Sequence, residues 1–285
     1  MVLGFLLGRM KFISNVEATI LNRIAFLILQ PALIFPLIIS VEFNDFYFDA
    51  IALYGGAQAL VFLISLCIGF FIFKCSFIES WLIAMATIFV NSLLYILPIS
   101  QLIYGIDGNL PVTAIVVWDA TFTFAFFIIT TDLLANKKTS YAQTFSRLVR
   151  NPVLITILVG LCVNVISLTP PKPILTAFNF VGASAAPLTL FALGVILSSH
   201  GLTPTKKFAI FSLIKLAALP IVVMALLNFG TRPLIWNEML LLNSAGPAGA
   251  MAFALALLYN TKTDTIAPVV IWTSIVTLIS LAWLA

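Results

Sequence analysis

Seven residues inside one long apolar run, Ser244-Ala245-Gly246-Pro247-Ala248-Gly249-Ala250, are where this chain is best placed to do chemistry. Proline removes an amide donor and collides with the preceding turn, and glycine lets the backbone leave helical geometry. In hydrocarbon a freed backbone group persists only where protein or a wet cavity satisfies it. An interruption at mid-membrane depth therefore marks a candidate ligand site. The alternative is a proline kink packed by neighbouring helices. Asn91-Ser92 in an earlier run and Asn243-Ser244 at the break add side-chain donors with no net charge to bury. Pro98, on the far side of the earlier run, is where a second half-helix would restart. Two half-helix amino ends meeting at mid-depth would present free amides and partial positive charge, which suits a carboxylate. For Asn91 the alternative is interhelical packing worth roughly 1 kcal/mol.

Two full charges, Asp119 and Lys215, also fall well inside apolar runs. Insertion scales set about 2.5–3.5 kcal/mol against each at a helix centre, so each should face the bundle interior or a cavity. Counting helical rise from the ends of their runs places them within about 5 Å in depth. They are expected either to pair with each other or to bind a proton or cation coupled to transport. Lys215 could also snorkel toward the cytoplasm. Gln30 and Gln58 read as packing residues, and His200, beside Gly201, as a solvated loop residue. The three cysteines, Cys67, Cys75 and Cys162, are odd in number and lack metal-ligand spacing, so neither a disulfide framework nor a metal site is expected. No phosphate-cradling loop, nucleophile elbow or nucleic-acid patch is present, and no enzyme, cofactor or nucleic-acid partner is expected.

The elements that must position these residues are membrane helices. Of 285 residues, 62% are hydrophobic and 8% charged, with mean hydropathy +1.17, against about 25% charged in soluble domains. Apolar runs at 17–41, 49–73, 78–104, 111–133, 150–168, 173–199, 206–228, 235–259 and 264–284 read as transmembrane spans. The stub Met1–Gly8 reads as the tail of a truncated first helix, which makes ten. Loop charges then alternate. One set of connections carries Arg9, Lys11, Arg23, Lys74, Lys137, Lys138, Arg147, Arg150, Lys206, Lys207 and Lys262; the other carries only Lys172 and Arg232. Eleven against two puts the first set in the cytoplasm and both termini outside.

The chain also reads as duplicated. Gln30-Pro31-Ala32-Leu33-Ile34-Phe35 resembles Ala186-Pro187-Leu188-Thr189-Leu190-Phe191, with prolines 156 residues apart. Ile115-Val116-Val117-Trp118 resembles Val269-Val270-Ile271-Trp272, with tryptophans 154 apart, and Asn91 precedes Pro247 by 156. Five spans per copy is odd, so the second copy must enter from the opposite face. The expectation is an all-α polytopic membrane protein, a ten-helix 5+5 inverted repeat with two broken crossing helices. Residues 1–133 form the first copy, 134–149 a basic cytoplasmic linker, and 150–285 the second copy.

Taken together, the segments Gly8-Arg9, Leu29-Gln30-Pro31-Ala32-Leu33-Ile34-Phe35, Asn151-Pro152, Pro187-Leu188-Thr189-Leu190-Phe191-Ala192-Leu193-Gly194 and Lys215 to Pro220 resemble the auxin efflux carrier family over essentially the whole chain. Bacterial members of that family include malonate and other organic-acid permeases. The resemblance implies a scaffold part and a transport part, with two broken helices crossing behind the substrate. In the fourth span the family pattern is roughly Asn-Thr-Gly-Phe-Leu-Gly-Leu-Pro. Here it reads Asn91-Ser92-Leu93-Leu94-Tyr95-Ile96-Leu97-Pro98, with Leu93 and Ile96 replacing both glycines, which should stiffen or narrow the crossing.

These readings lead to a secondary transporter moving a small organic anion, such as malonate, across the bacterial cytoplasmic membrane by alternating access. Asn91, Ser92, Pro98, Asn243, Ser244, Gly246 and Pro247 would contact substrate, and Asp119 and Lys215 would couple an ion or tune charge. H+ or Na+ as coupling ion and a homodimer in the lipid bilayer are further expectations. The competing classes are a channel-like pore and a non-transporting sensor or scaffold of the same fold.

Overall fold

The computed structural model describes residues 1–42, 45–105, 109–135, 146, 149–200 and 205–284, so most of the expected linker at 134–149 lies outside the described residues. Among the described residues, regular structure is helical apart from one isolated antiparallel bridge, Val90 to Ala248. Among the described residues, five helices are long and apolar enough to cross a membrane: Asn15–Ile39, Phe48–Ile72, Leu110–Ala135, Lys172–Leu197 and Lys206–Leu227. Shorter apolar helices, Phe77–Ile88, Ser92–Tyr104, Pro152–Val165 and Ile266–Leu281, lie between and after them. The chain is a multi-pass membrane protein. The runs at 78–104 and 235–259 are each interrupted, the first at Phe89 to Asn91 and the second between Ser244 and Met251.

Local sequence explains where the helices start. Ser14 accepts a hydrogen bond from the Glu17 amide at 3.3 Å, and Glu17 Oε2 accepts one from the Ser14 amide at 2.8 Å, so two orphan donors are satisfied reciprocally. Asn151 Oδ1 accepts from the amides of Val153 and Leu154 just before Pro152 opens the next helix, a position where the missing proline amide removes no bond. Ser76 and Thr205 cap their helices in the same way.

Three prolines inside the long runs are absorbed without a break. Pro31, Pro98 and Pro220 each come second after a wide five-residue turn: Ala25–Leu29, Ser92–Ile96 and Ile214–Ala218. A proline ring collides with the carbonyl four residues back, and closing hydrogen bonds one residue further apart moves that carbonyl aside. Two other wide turns, Ile68–Ile72 and Asp119–Thr123, have no proline.

The chain folds as two compact units that interleave in sequence, Met1–Phe46 with Thr139–Ser199, and Tyr47–Lys138 with His200–Ala285. In the first, α1 (Val2–Arg9) and α2 (Asn15–Ile24) pack on α11 (Ala185–Leu197), while α3 (Gln30–Ile39) packs on α9 (Pro152–Val165) and α10 (Lys172–Gly182). Phe35 and Phe178 meet with ring centroids 4.8 Å apart. Asn164 Nδ2 donates to the carbonyls of Ile38, Ile39 and Val41 at 2.9–3.1 Å, closing the carboxyl end of α3. In the second unit, α4 (Phe48–Cys67), α5 (Phe77–Ile88), α6 (Leu97–Tyr104), α7 (Leu110–Trp118), α8 (Phe124–Ala135), α12 (Lys206–Leu213), α13 (Leu219–Leu227), α14 (Leu234–Ser244), α15 (Met251–Leu258) and α16 (Ile266–Leu284) surround the two interruptions.

His200 is not a simple solvated loop residue. Its Nε2 lies 3.2 Å from Thr263 Oγ1 and its ring stands edge-on to Phe253. The three cysteines are free thiols.

Asn164→Leu leaves the end of α3 without its cap, and the expected loss is about 1–3 kcal/mol. A melting temperature in detergent equal to that of the parent protein would show that those carbonyls find other partners.

Candidate functional site

The two interruptions meet within the second unit. The Asn91 amide donates to Pro247 O at 3.0 Å, and the Gly249 amide donates to Phe89 O at 2.7 Å. These bonds flank the Val90–Ala248 bridge and make a short antiparallel ladder from backbone that has left both helices. The Ala248 amide turns the other way and donates to Thr273 Oγ1 on α16 at 3.0 Å. Packing explains the two glycines. A Cβ on Gly246 would lie 2.6 Å from Ile96 Cδ1, and one on Gly249 would lie 2.7 Å from Phe89 Cδ1.

Chain restarts follow the ladder on both sides. Among the described residues, the amides of Ser92, Leu93 and Leu94 and those of Ala250, Met251, Ala252 and Phe253 meet no acceptor. They are the orphan donors that every helix start leaves. Ser92 is buried with an unpartnered Oγ beside the first set, and the half-buried Asn91 side chain makes no hydrogen bond.

The opposite ends of the half-helices are held by two side chains. Lys215, fully buried, donates from Nζ to Ser244 O at 2.8 Å. Gln58 Nε2 donates to Asp119 Oδ1 at 2.8 Å and to Ile88 O at 3.4 Å, while its Oε1 accepts from Trp118 Nε1 at 2.9 Å. One turn earlier on α4, the Tyr54 hydroxyl accepts from Asn243 Nδ2 at 2.8 Å. Two buried acceptors are left over, Asp119 Oδ2 and Asn243 Oδ1.

Several expectations change here. Asp119 and Lys215 do not pair. Neither described ion pair joins them, because each takes a neutral partner on a different helix. Lys215 does not snorkel either, since its ammonium meets the carbonyl end of α14, the negative end of that helix dipole. Pro98 does not mark the restart of the second half-helix, which begins at Ser92; the wide turn Ser92–Ile96 absorbs the proline. Gln58 is no mere packing residue but the hub between Asp119, Trp118 and Ile88. Asn91, Ser92, Asn243, Ser244, Gly246 and Pro247 all lie at the interruptions.

Tyr54, Gln58 and Thr273 were the residues that sequence reasoning undervalued. A signal for Gln58 existed, because Lys215 follows it by 157 residues, almost the interval of the repeated markers. Asp132 was also passed over; it is buried and accepts a hydrogen bond from the Tyr259 hydroxyl.

Membership is decided by the second half of the chain, where the sequence profile of a family of membrane transport proteins, that of the auxin efflux carriers, matches residues 135–284, more than half of the total length. The chain belongs to this family. It is thus a membrane transport protein from a family of transporters and not of enzymes. No curated protein matches the chain. The matched segment contains Lys215, Asn243, Ser244 and the break through Gly249, whereas Asn91, Asp119 and Gln58 precede it.

Gly249→Ala forces a methyl against the Phe89 ring inside the crossing, with an expected loss of about 1–3 kcal/mol. Thermal unfolding in detergent measures it, and an unchanged midpoint would show that the close approach is relaxed at no cost.

Proposed function

We propose that this transport protein carries a small organic anion, a carboxylate of the malonate type, by alternating access, with the substrate held at the crossing of the two interrupted helices. The observation that carries this reading is the set of unpaired donors at the crossing. Seven helix-start amides lack acceptors, and the Ser92 hydroxyl and the Asn91 amide add side-chain donors beside them. Donors in excess, with partial positive charge from two helix starts, suit an anion and not a cation. Pro247 and Gly246 form the break, and Asn243 and Ser244 end the half-helix leading into it. Asp119 and Lys215 tune the charge around it, with H+ or Na+ as the candidate coupling ion.

The proposal includes the inverted repeat, with residues 1–133 and 150–285 as antiparallel copies joined by 134–149. The ladder supports this. A two-fold axis between Val90 and Ala248 exchanges the Asn91–Pro247 bond with the Gly249–Phe89 bond. We place both termini outside the cytoplasmic membrane on the loop-charge asymmetry. The second unit, which holds every group named above, is the proposed transport part, and the first the scaffold.

The test is uptake of labelled malonate and related mono- and dicarboxylates into proteoliposomes, with counterflow to separate a carrier from a pore or a sensor. Saturable uptake and counterflow are expected. Asn91→Ala and Ser92→Ala should raise KM by about tenfold each, since each removes one donor to a charged group. Pro247→Ala should insert normally and lose most of the maximal rate. No saturable uptake of any acid, or full activity in all three variants, would overturn the reading.

A further inference from the structure

Each first half of a broken helix ends on a carbonyl held by one side chain from a neighbouring helix. Ile88 is the last residue of α5, and its carbonyl accepts from Gln58 Nε2. Ser244 is the last residue of α14, and its carbonyl accepts from Lys215 Nζ. Among the described residues no other donor meets either carbonyl. The two side chains are 157 residues apart and the two carbonyls 156, so the pairs correspond across the proposed repeat.

We infer that Gln58 and Lys215 are a matched pair of positioning residues, each fixing the point at which the chain leaves a half-helix and enters the crossing. A terminal carbonyl with no partner in apolar surroundings would be satisfied by continuing the helix through the break or by admitting water, and either would displace the ladder. Capping needs a donor and not a charge, as the neutral amide at 58 demonstrates. That amide spends its second hydrogen on Asp119, whereas a lysine at 215 carries, when protonated, a positive charge beyond what capping requires. The surplus charge serves affinity for the anion and the donor serves the geometry of the break. The two roles are separable in Lys215 variants.

Lys215→Gln keeps a donor and removes the charge; Lys215→Met keeps the length and removes both. Hydrogen exchange followed by mass spectrometry on the full chain in detergent reads the geometry without any substrate. Peptides covering 241–250 should exchange within about twofold of the parent protein in Lys215→Gln and about tenfold faster in Lys215→Met. Gln58→Met, read over 86–91 in the same way, carries the test independently should Lys215→Met not yield folded protein. The uptake arm alone rests on the carrier reading. There Lys215→Gln should raise KM with the maximal rate retained within about twofold, and Lys215→Met should lower the maximal rate by about tenfold. Exchange in Lys215→Gln as fast as in Lys215→Met, or parental exchange in Lys215→Met and Gln58→Met, overturns the inference. If the parent protein takes up no acid, the exchange data still decide the capping, and only the carrier reading falls.

Discussion

Backbone that leaves a helix in apolar surroundings must find new partners, and here the two interrupted helices supply one another. Phe89 to Asn91 and Pro247 to Gly249 satisfy each other across a ladder only three residues long. Neither interruption is tenable alone, because an isolated one would leave amides and carbonyls without acceptors or donors in hydrocarbon. The side-chain choices nearby follow from this mutual dependence. Glycine stands at 246 and 249 because a side chain there would hold the two backbones apart, and Thr273 on α16 takes the Ala248 amide, which faces away from the ladder.

Carbonyl ends receive donors from Gln58 and Lys215, and amide starts receive nothing. Orphan amides of this kind are left at any helix start, and here two such starts follow one ladder. The leftover acceptors, Asp119 Oδ2 and Asn243 Oδ1, belong to groups whose other atoms are already engaged, through Gln58 and Tyr54. Tyr54 and Gln58, one turn apart on one face of α4, thereby link the ends of both broken helices to a single unbroken one.

The break at 245–250 was legible in the sequence because glycine and proline act on the backbone, whose rules hold in any context, whereas the break at Phe89 to Asn91 holds neither residue and was marked only by the polar pair Asn91-Ser92. Pairing of the two segments was legible only through their equal spacing from matching landmarks. The partners of Asp119 and Lys215 were not. Counting rise gives depth along the membrane normal and leaves azimuth undetermined, so two charges at similar depth looked like a pair although each points to a different helix. Gln58 was missed because one amide in an apolar helix carries the same composition signal whether it packs or organises a network. Interleaving of the two compact units was also hidden, since each unit draws on both halves of the sequence and is defined by contact.

The wide turns carry a further consequence. In an α-helix each residue advances the face by about 100°, so a wheel drawn from sequence predicts which positions share a side. A turn that holds one extra residue shifts that phase, and everything beyond it faces elsewhere than the wheel projects. Asp119 and Lys215 both sit inside such turns. A helical wheel carried unbroken through 119–123 or 214–218 is out of phase beyond the turn by about the angle of one residue.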